Sequence, residues 1–153
     1  MEWNLAPQGY VPFEHVHYLQ DEIFRVMKGE LKVIIDGKEH IARERETITV
    51  PKGARHIASN NTTSAMESVV EYTPALDHDV FMKCLCGLTQ DVYLDKRGEI
   101  NIPMMGYCLM KMKCKAMARP TKIPAPVFRI ALGVFHIMGG LKGWEKRYRK
   151  YAF

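Results

Sequence analysis

The sequence predicts a mainly β domain, a small antiparallel barrel of the jelly-roll type, followed by an α-helical extension. Three observations predict it. Between about residues 12 and 73, short runs of alternating apolar and polar residues follow one another, separated by turns, the pattern of an antiparallel sandwich or barrel. Within those runs, histidines and a glutamate recur at spacings that place them on shared strand faces, because strand side chains alternate with period 2. After Pro74 the alternation gives way to helical periodicity. The change divides the 153 residues into a β domain at 1–75 and a helical extension at 76–153, expected to pack on the barrel or on a dimer partner.

Taken in order, residues 1–8 are short, polar and without a strand pattern. Strands are expected at about 12–18, 22–28, 31–36, 38–43, 47–51, 54–59 and 65–73. Leu31, Val33 and Ile35 alternate with Lys32, Ile34 and Asp36, which commits one face to a core. Lys28-Gly29-Glu30 and Asp36-Gly37 read as hairpin turns, since Asp-Gly tolerates the positive φ angles that tight hairpins demand. Residues 59–64 are a loop by composition. With so little chain before the first strand, the barrel is expected to have an open edge. A partner subunit's strand would cover it, and a homodimer is the expectation.

In the extension, Asp77 to Gly87 reads as a helix with Asp77 as N-cap and Gly87 near its end. Pro103 to Ala118 carries an apolar stripe at 105, 108, 109, 112 and 116, with Lys111, Lys113 and Lys115 nearby. Residues 119–126 form a Pro-rich joint. Val127 to Leu141 is apolar on nearly every side, so burial on most sides is the expectation. The end, from Lys142, is basic and aromatic. Met104, Met105, Met110, Met112 and Met117 are read as helix core. Cys84, Cys86, Cys108 and Cys114 lack the spacing of a zinc knuckle and are read as buried thiols.

The chemistry concentrates in two stretches. In the first, His15 and His17 share a strand face, and Glu22 joins them if a turn at 19–21 folds the next strand back. The second, Pro51 to Asn60, brings His56. Three neutral imidazoles and one carboxylate form a mixed nitrogen and oxygen set suited to a divalent first-row transition metal: Fe, Mn, Ni, Co or Zn. Asp21 neighbours Glu22, but its strand phase points away.

The first stretch resembles the first cupin motif, G-x5-H-x-H-x(3,4)-E-x6-G, at Gly9, His15, His17, Glu22 and Gly29. The second resembles the second motif, G-x5-P-x-G-x2-H-x3-N, at Pro51, Gly53, His56 and Asn60, but has Arg45 where the motif opens with glycine. That departure touches a turn, not the metal. The resemblance implies a metal-binding cupin barrel with His15, His17, Glu22 and His56 as ligands. Phe24, Val26, Val33 and Ile35, with Met66 or Ser68, are expected to line an apolar pocket, and Tyr18 and Gln20 to offer polar contacts. Arg25 and Arg55 fall on the opposite phase, so no carboxylate clamp is expected.

The expected function is metal-dependent dioxygenation or isomerisation of a small aromatic or enol-like molecule, with no catalytic base identifiable. The alternative is a non-catalytic small-ligand module whose basic tail engages a partner or membrane surface. Composition, 47% hydrophobic and 25% charged, is that of a globular protein. No run reaches the roughly 18 apolar residues of a membrane span, and no signal pattern opens the sequence, so a cytoplasmic location is expected. Residues 101–153 hold 11 Lys and Arg against Glu145 alone. That imbalance is read as a solvated basic face; no nucleic acid partner is expected, and membrane contact is the less favoured reading.

Overall fold

The structure, a computed structural model, describes residues 1–11, 13–91, 101–112 and 118–152. These residues form two compact units. The first holds nine strands: β1 (Glu2–Leu5), β2 (His15–His17), β3 (Asp21–Lys28), β4 (Glu30–Ile35), β5 (Lys38–Arg43), β6 (Thr47–Val50), β7 (Arg55–Ser59), β8 (Met66–Thr73) and β9 (Ala118–Pro120). They make two antiparallel sheets, ordered β1-β8-β3-β6 and β5-β4-β7-β2-β9. The inward faces of both meet in one core of Phe24, Val26, Leu31, Val33, Ala42, Ile48, Val50, Ala58, Met66 and Val70. The period-2 alternation of β3 and β8 carries over directly: Glu22, Phe24 and Val26 are buried, as are Met66, Ser68 and Val70. At the β4–β5 hairpin Asp36 and Gly37 both take positive φ, at 48° and 81°, the pairing a type I′ turn requires.

Two strands correct the sequence reading. β1 forms where no strand is expected, and its four residues pair with β8 from Glu2↔Val69 to Leu5↔Met66. β9 forms in the expected Pro-rich joint and pairs with β2, with His15↔Pro120 and His17↔Ala118 in register. The chain's own strands thus cover β8 and β2. The edges then fall to β1 and β6 in one sheet and to β5 and β9 in the other, so both sheets keep outer strands.

The second unit contains α1 (His78–Gln90), α2 (Ile102–Lys111), α3 (Ala125–Leu141) and α4 (Glu145–Ala152). Asp77 is the N-cap residue of α1 without a side-chain capping bond. Asn101 caps α2, its side-chain oxygen accepting from the Met104 amide at 3.0 Å. Gly87 does not end α1; it lies inside the helix, where an added Cβ would come within 2.3 Å of the Tyr151 ring. Close packing by α4, not chain reversal, explains that glycine. Met104, Met105 and Met112 are buried, as are Cys84 and Cys108, whereas Cys86 is exposed. Lys113, Cys114, Lys115 and Met117 lie outside the described residues. The expectation that α3 is covered on most sides is also corrected. Leu132 and Gly139 are buried, but Val127, Ile130, Val134, Ile137 and Leu141 are exposed.

Candidate metal centre

The site is assembled by register. β2 and β7 pair antiparallel with His15 opposite His56, and the alternation of β2 sends His17 to the same face as His15. Glu22 arrives from β3, in the other sheet, where it lies opposite both Val50 and Tyr72. Three imidazoles from one sheet therefore meet one carboxylate from the other. One ligand-capable atom from each of His15, His17, Glu22 and His56 lies within 4.8 Å of the rest. This is a group that could hold a metal ion, and its donor chemistry fits a first-row divalent cation.

The turns around the site are built from the same two motifs. The Gly53 amide donates to the His17 carbonyl at 2.7 Å, and the Ala54 amide to the Pro51 carbonyl at 3.1 Å. Asp21 Oδ1 accepts from the Lys52 amide at 2.8 Å, so this carboxylate holds the turn and stays away from the histidines. Asn60 is fully buried and ties three carbonyls, those of Leu5, Ala6 and Ser64, through Nδ2 while its oxygen accepts from Thr62. Its role is to fasten β1 and the 60–64 loop. Arg45, in place of the motif glycine, has φ 70°. The side chain points to solvent and the turn keeps the left-handed conformation a glycine would supply, with the Arg45 amide donating to Val26 O at 2.8 Å.

Within the cluster Glu22 Oε2 lies 2.8 Å from His56 Nε2 and 3.4 Å from His17 Nε2. His15 Nδ1 and His56 Nδ1 lie 3.2 and 3.3 Å from the Phe13 and Ala54 carbonyls. An Nδ1–H donated to the Phe13 carbonyl leaves the His15 Nε2 lone pair for a metal, whereas His56 Nε2 faces Glu22 and would exchange that hydrogen bond for a metal bond. Burial, reinforced by the neighbouring His56 and His17, lowers the His15 imidazole from 6.5 to about 4. Burial pushes the Glu22 carboxyl up, but hydrogen bonds from His17 and His56 outweigh it and hold the group well below the usual carboxylate range. Both groups thus have the protonation states that metal binding requires at neutral pH.

Tyr72 is a site residue that the sequence reading misses. Its hydroxyl donates to Glu22 Oε1 at 2.6 Å, and burial followed by the Glu22 charge pushes the phenol well above its ordinary range. The signal was available: Tyr72 shares the phase of Met66, Ser68 and Val70, and the β3–β8 register sets it opposite Glu22. The expected pocket residues fare unevenly. Phe24, Val26, Val33 and Met66 are close-packed core, and Ile35 packs against them. Tyr18 is corrected: it is exposed, and its hydroxyl accepts from Arg119 Nε at 2.6 Å instead of facing the histidines. Gln20 is also corrected. It is fully buried, and Nε2 donates to the Pro74 and Ala75 carbonyls at 2.9 Å each, anchoring the exit from β8. Arg25 pairs with Glu71, and Arg55 with Asp36, both on the exposed surface.

Comparison with known proteins covers the β unit. A family described as Cupin domain matches residues 1–71. No curated protein matches the chain. Among solved structures, a protein from Thermus thermophilus is 25% identical over 45% of this chain and 65% of its own, with a TM-score of 0.43. A cupin-superfamily sugar phosphate isomerase from Silicibacter pomeroyi is 27% identical over 45% of each chain, with a TM-score of 0.42. Salicylate 1,2-dioxygenase from Pseudaminobacter salicylatoxidans is 21% identical over 46% of this chain and 20% of its own, with a TM-score of 0.44. The present chain thus spans less than two thirds of each of those proteins. With the family match and both motifs in place on paired strands, residues 1–71 form a cupin domain of the cupin-2 type.

Proposed function

We propose that this cupin domain holds one divalent first-row metal (Fe, Mn, Ni, Co or Zn) through His15, His17, Glu22 and His56. With it, the domain acts as an enzyme on a small aromatic or enol-like molecule, by dioxygenation or isomerisation. The convergence of the four donor atoms within 4.8 Å carries this reading. When bound by these four residues, such a metal would supply Lewis-acid or redox chemistry.

The residues of the chain supply the rest. His17, Glu22 and His56 are buried, whereas His15 is only half-buried, so the cluster is open on the His15 side. A small molecule reaches it there. Tyr72 fixes Glu22 Oε1, leaving Oε2 toward the imidazoles and favouring single-oxygen coordination. The apolar wall of Phe24 and Val26 behind Glu22 on β3 excludes water, and the arginines of the same region point outward. That arrangement suits an apolar or enol-like substrate better than a dicarboxylate.

A second reading, a non-catalytic ligand-binding module, is favoured by one observation. The phenol nearest the cluster, Tyr72, is engaged by Glu22 and held protonated, so it does not serve as a base. Elemental analysis of purified protein should find about one first-row metal per chain, lost in a His15→Ala/His17→Ala variant. Oxygen uptake with phenolic substrates, and proton exchange at enolisable carbons in heavy water, then separate the two readings. Full metal occupancy in the double variant would overturn the ligand set; a fully loaded protein with neither activity would favour the binding module.

A further inference from the structure

α3 is two-faced within its own unit. One face is packed: Leu132 and Phe135 come up against Gly106 of α2, and the Tyr107 ring lies so close to Gly139 that a Cβ there would approach it to 2.1 Å. On the other face Val127, Ile130, Val134, Ile137 and Leu141 are between 54% and 86% exposed. Their spacing of three, four, three and four residues keeps them on a single line along the helix. A continuous aliphatic ridge, unlike a scatter of exposed leucines, marks an interaction surface.

Charge decides what the ridge fits. From Ala118 to Trp144 the sequence has no Asp or Glu. Arg129 and Lys142, both exposed, stand about 100–120° to either side of the ridge by helix geometry. Exposed Lys146 follows in α4, and the first acid, Glu145, is already paired with Lys111 and Arg149. A second copy seated on the ridge would find no carboxylate along α3 to answer these cations, whereas paired helices use flanking opposite charges. An anionic bilayer answers both features, taking aliphatic side chains below the headgroups and cations at the phosphates. No single helix among the described residues is long and apolar enough to cross a membrane, and α3 meets α4 at a bend of 103°. Those dimensions suit a helix lying in the interface plane.

We infer that α3 is an interfacial anchor for an anionic membrane surface, with its aliphatic ridge inserted and Arg129 and Lys142 on lipid phosphates. The test is flotation of the 153-residue chain with phosphatidylcholine vesicles, with and without phosphatidylglycerol. Binding should require the anionic lipid and weaken as salt rises. Arg129→Gln/Lys142→Gln, which leaves the ridge intact, should lower the affinity about twenty-five-fold, at about fivefold per cation near an anionic surface. Ile130→Asp/Ile137→Asp should abolish flotation, with circular dichroism and metal content unchanged as the fold control. If that variant misfolds, the charge variant still decides. Equal binding to neutral vesicles, no binding to either, or unaltered affinity in the charge variant would overturn the inference. So would a solution dimer that ignores vesicles and dissociates on Ile130→Asp/Ile137→Asp, which would assign the ridge to a second copy.

Discussion

Arg45 is where a single residue departs from the cupin motif without breaking it. Its φ of 70° is a left-handed conformation that costs an L-residue roughly 1 kcal/mol and glycine almost nothing. The side chain is 91% exposed and its one ion pair, to Glu44, is 3.8 Å long on the surface, so little is lost by removing it. Arg45→Gly should therefore stabilise the protein, by no more than about 0.5 kcal/mol after allowing for the greater freedom of glycine in the unfolded chain. Urea denaturation measures it; an unchanged or lowered midpoint would show that the turn is not strained. Such a position is legible only in part. The motif marks the place where a glycine is missing, but whether the turn changes or the arginine bends to it is decided by the hydrogen bonds of Val26 with Arg45 and Glu46.

At the scale of elements, what was legible followed pattern length. β3 and β8 alternate over eight residues each and α3 runs for seventeen, enough for periodicity to declare itself. β1 and β9 have four and three residues, too few for any period. They are strands because neighbours present free edges, not because their residues prefer extension. β1 depends on a tie that the motif does display, since Asn60 holds the Leu5 and Ala6 carbonyls at 3.2 and 3.1 Å. Asn60→Ala would leave three part-buried carbonyls and the Thr62 donors without this partner. A loss of about 2–4 kcal/mol is expected, with faster amide exchange confined first to β1 and the 60–64 loop. Uniform exchange across β1 and β4 would contradict the local role. The candidate metal cluster was legible because two histidines, a glutamate and a third histidine keep fixed spacings. Tyr72 was not, because its partner is fifty residues away and only strand register brings them together.

For the whole β unit, the candidate cluster bridges the two sheets: His15, His17 and His56 on one side, Glu22 on the other. A metal bound there stabilises the folded state by mass action, about 2.7 kcal/mol when free metal is a hundredfold above its dissociation constant. Without metal the same cluster makes the fold acid-sensitive. The His15 imidazole has a folded pKa of about 4 against 6.5 unfolded, so the unfolded chain binds the extra proton. Stability is full above about pH 6.5 and is lost as pH falls through 4, by up to about 3 kcal/mol. The depressed Glu22 carboxyl adds loss in the same direction at lower pH. Thermal midpoints of chelator-treated protein should fall across this window, and fall less in His15→Ala; a flat profile in the treated wild type would contradict the cluster's electrostatics. β9 carries a different consequence. The strand beside the ligand histidines is supplied about a hundred residues after them, once α1 and α2 have intervened. On the ribosome β2 must therefore wait, its outer edge unpaired, while a second unit is already being made. No single cut in the chain releases the cupin sheet whole, and a gene fragment ending at residue 75 would encode a sheet that lacks the strand beside its ligand histidines.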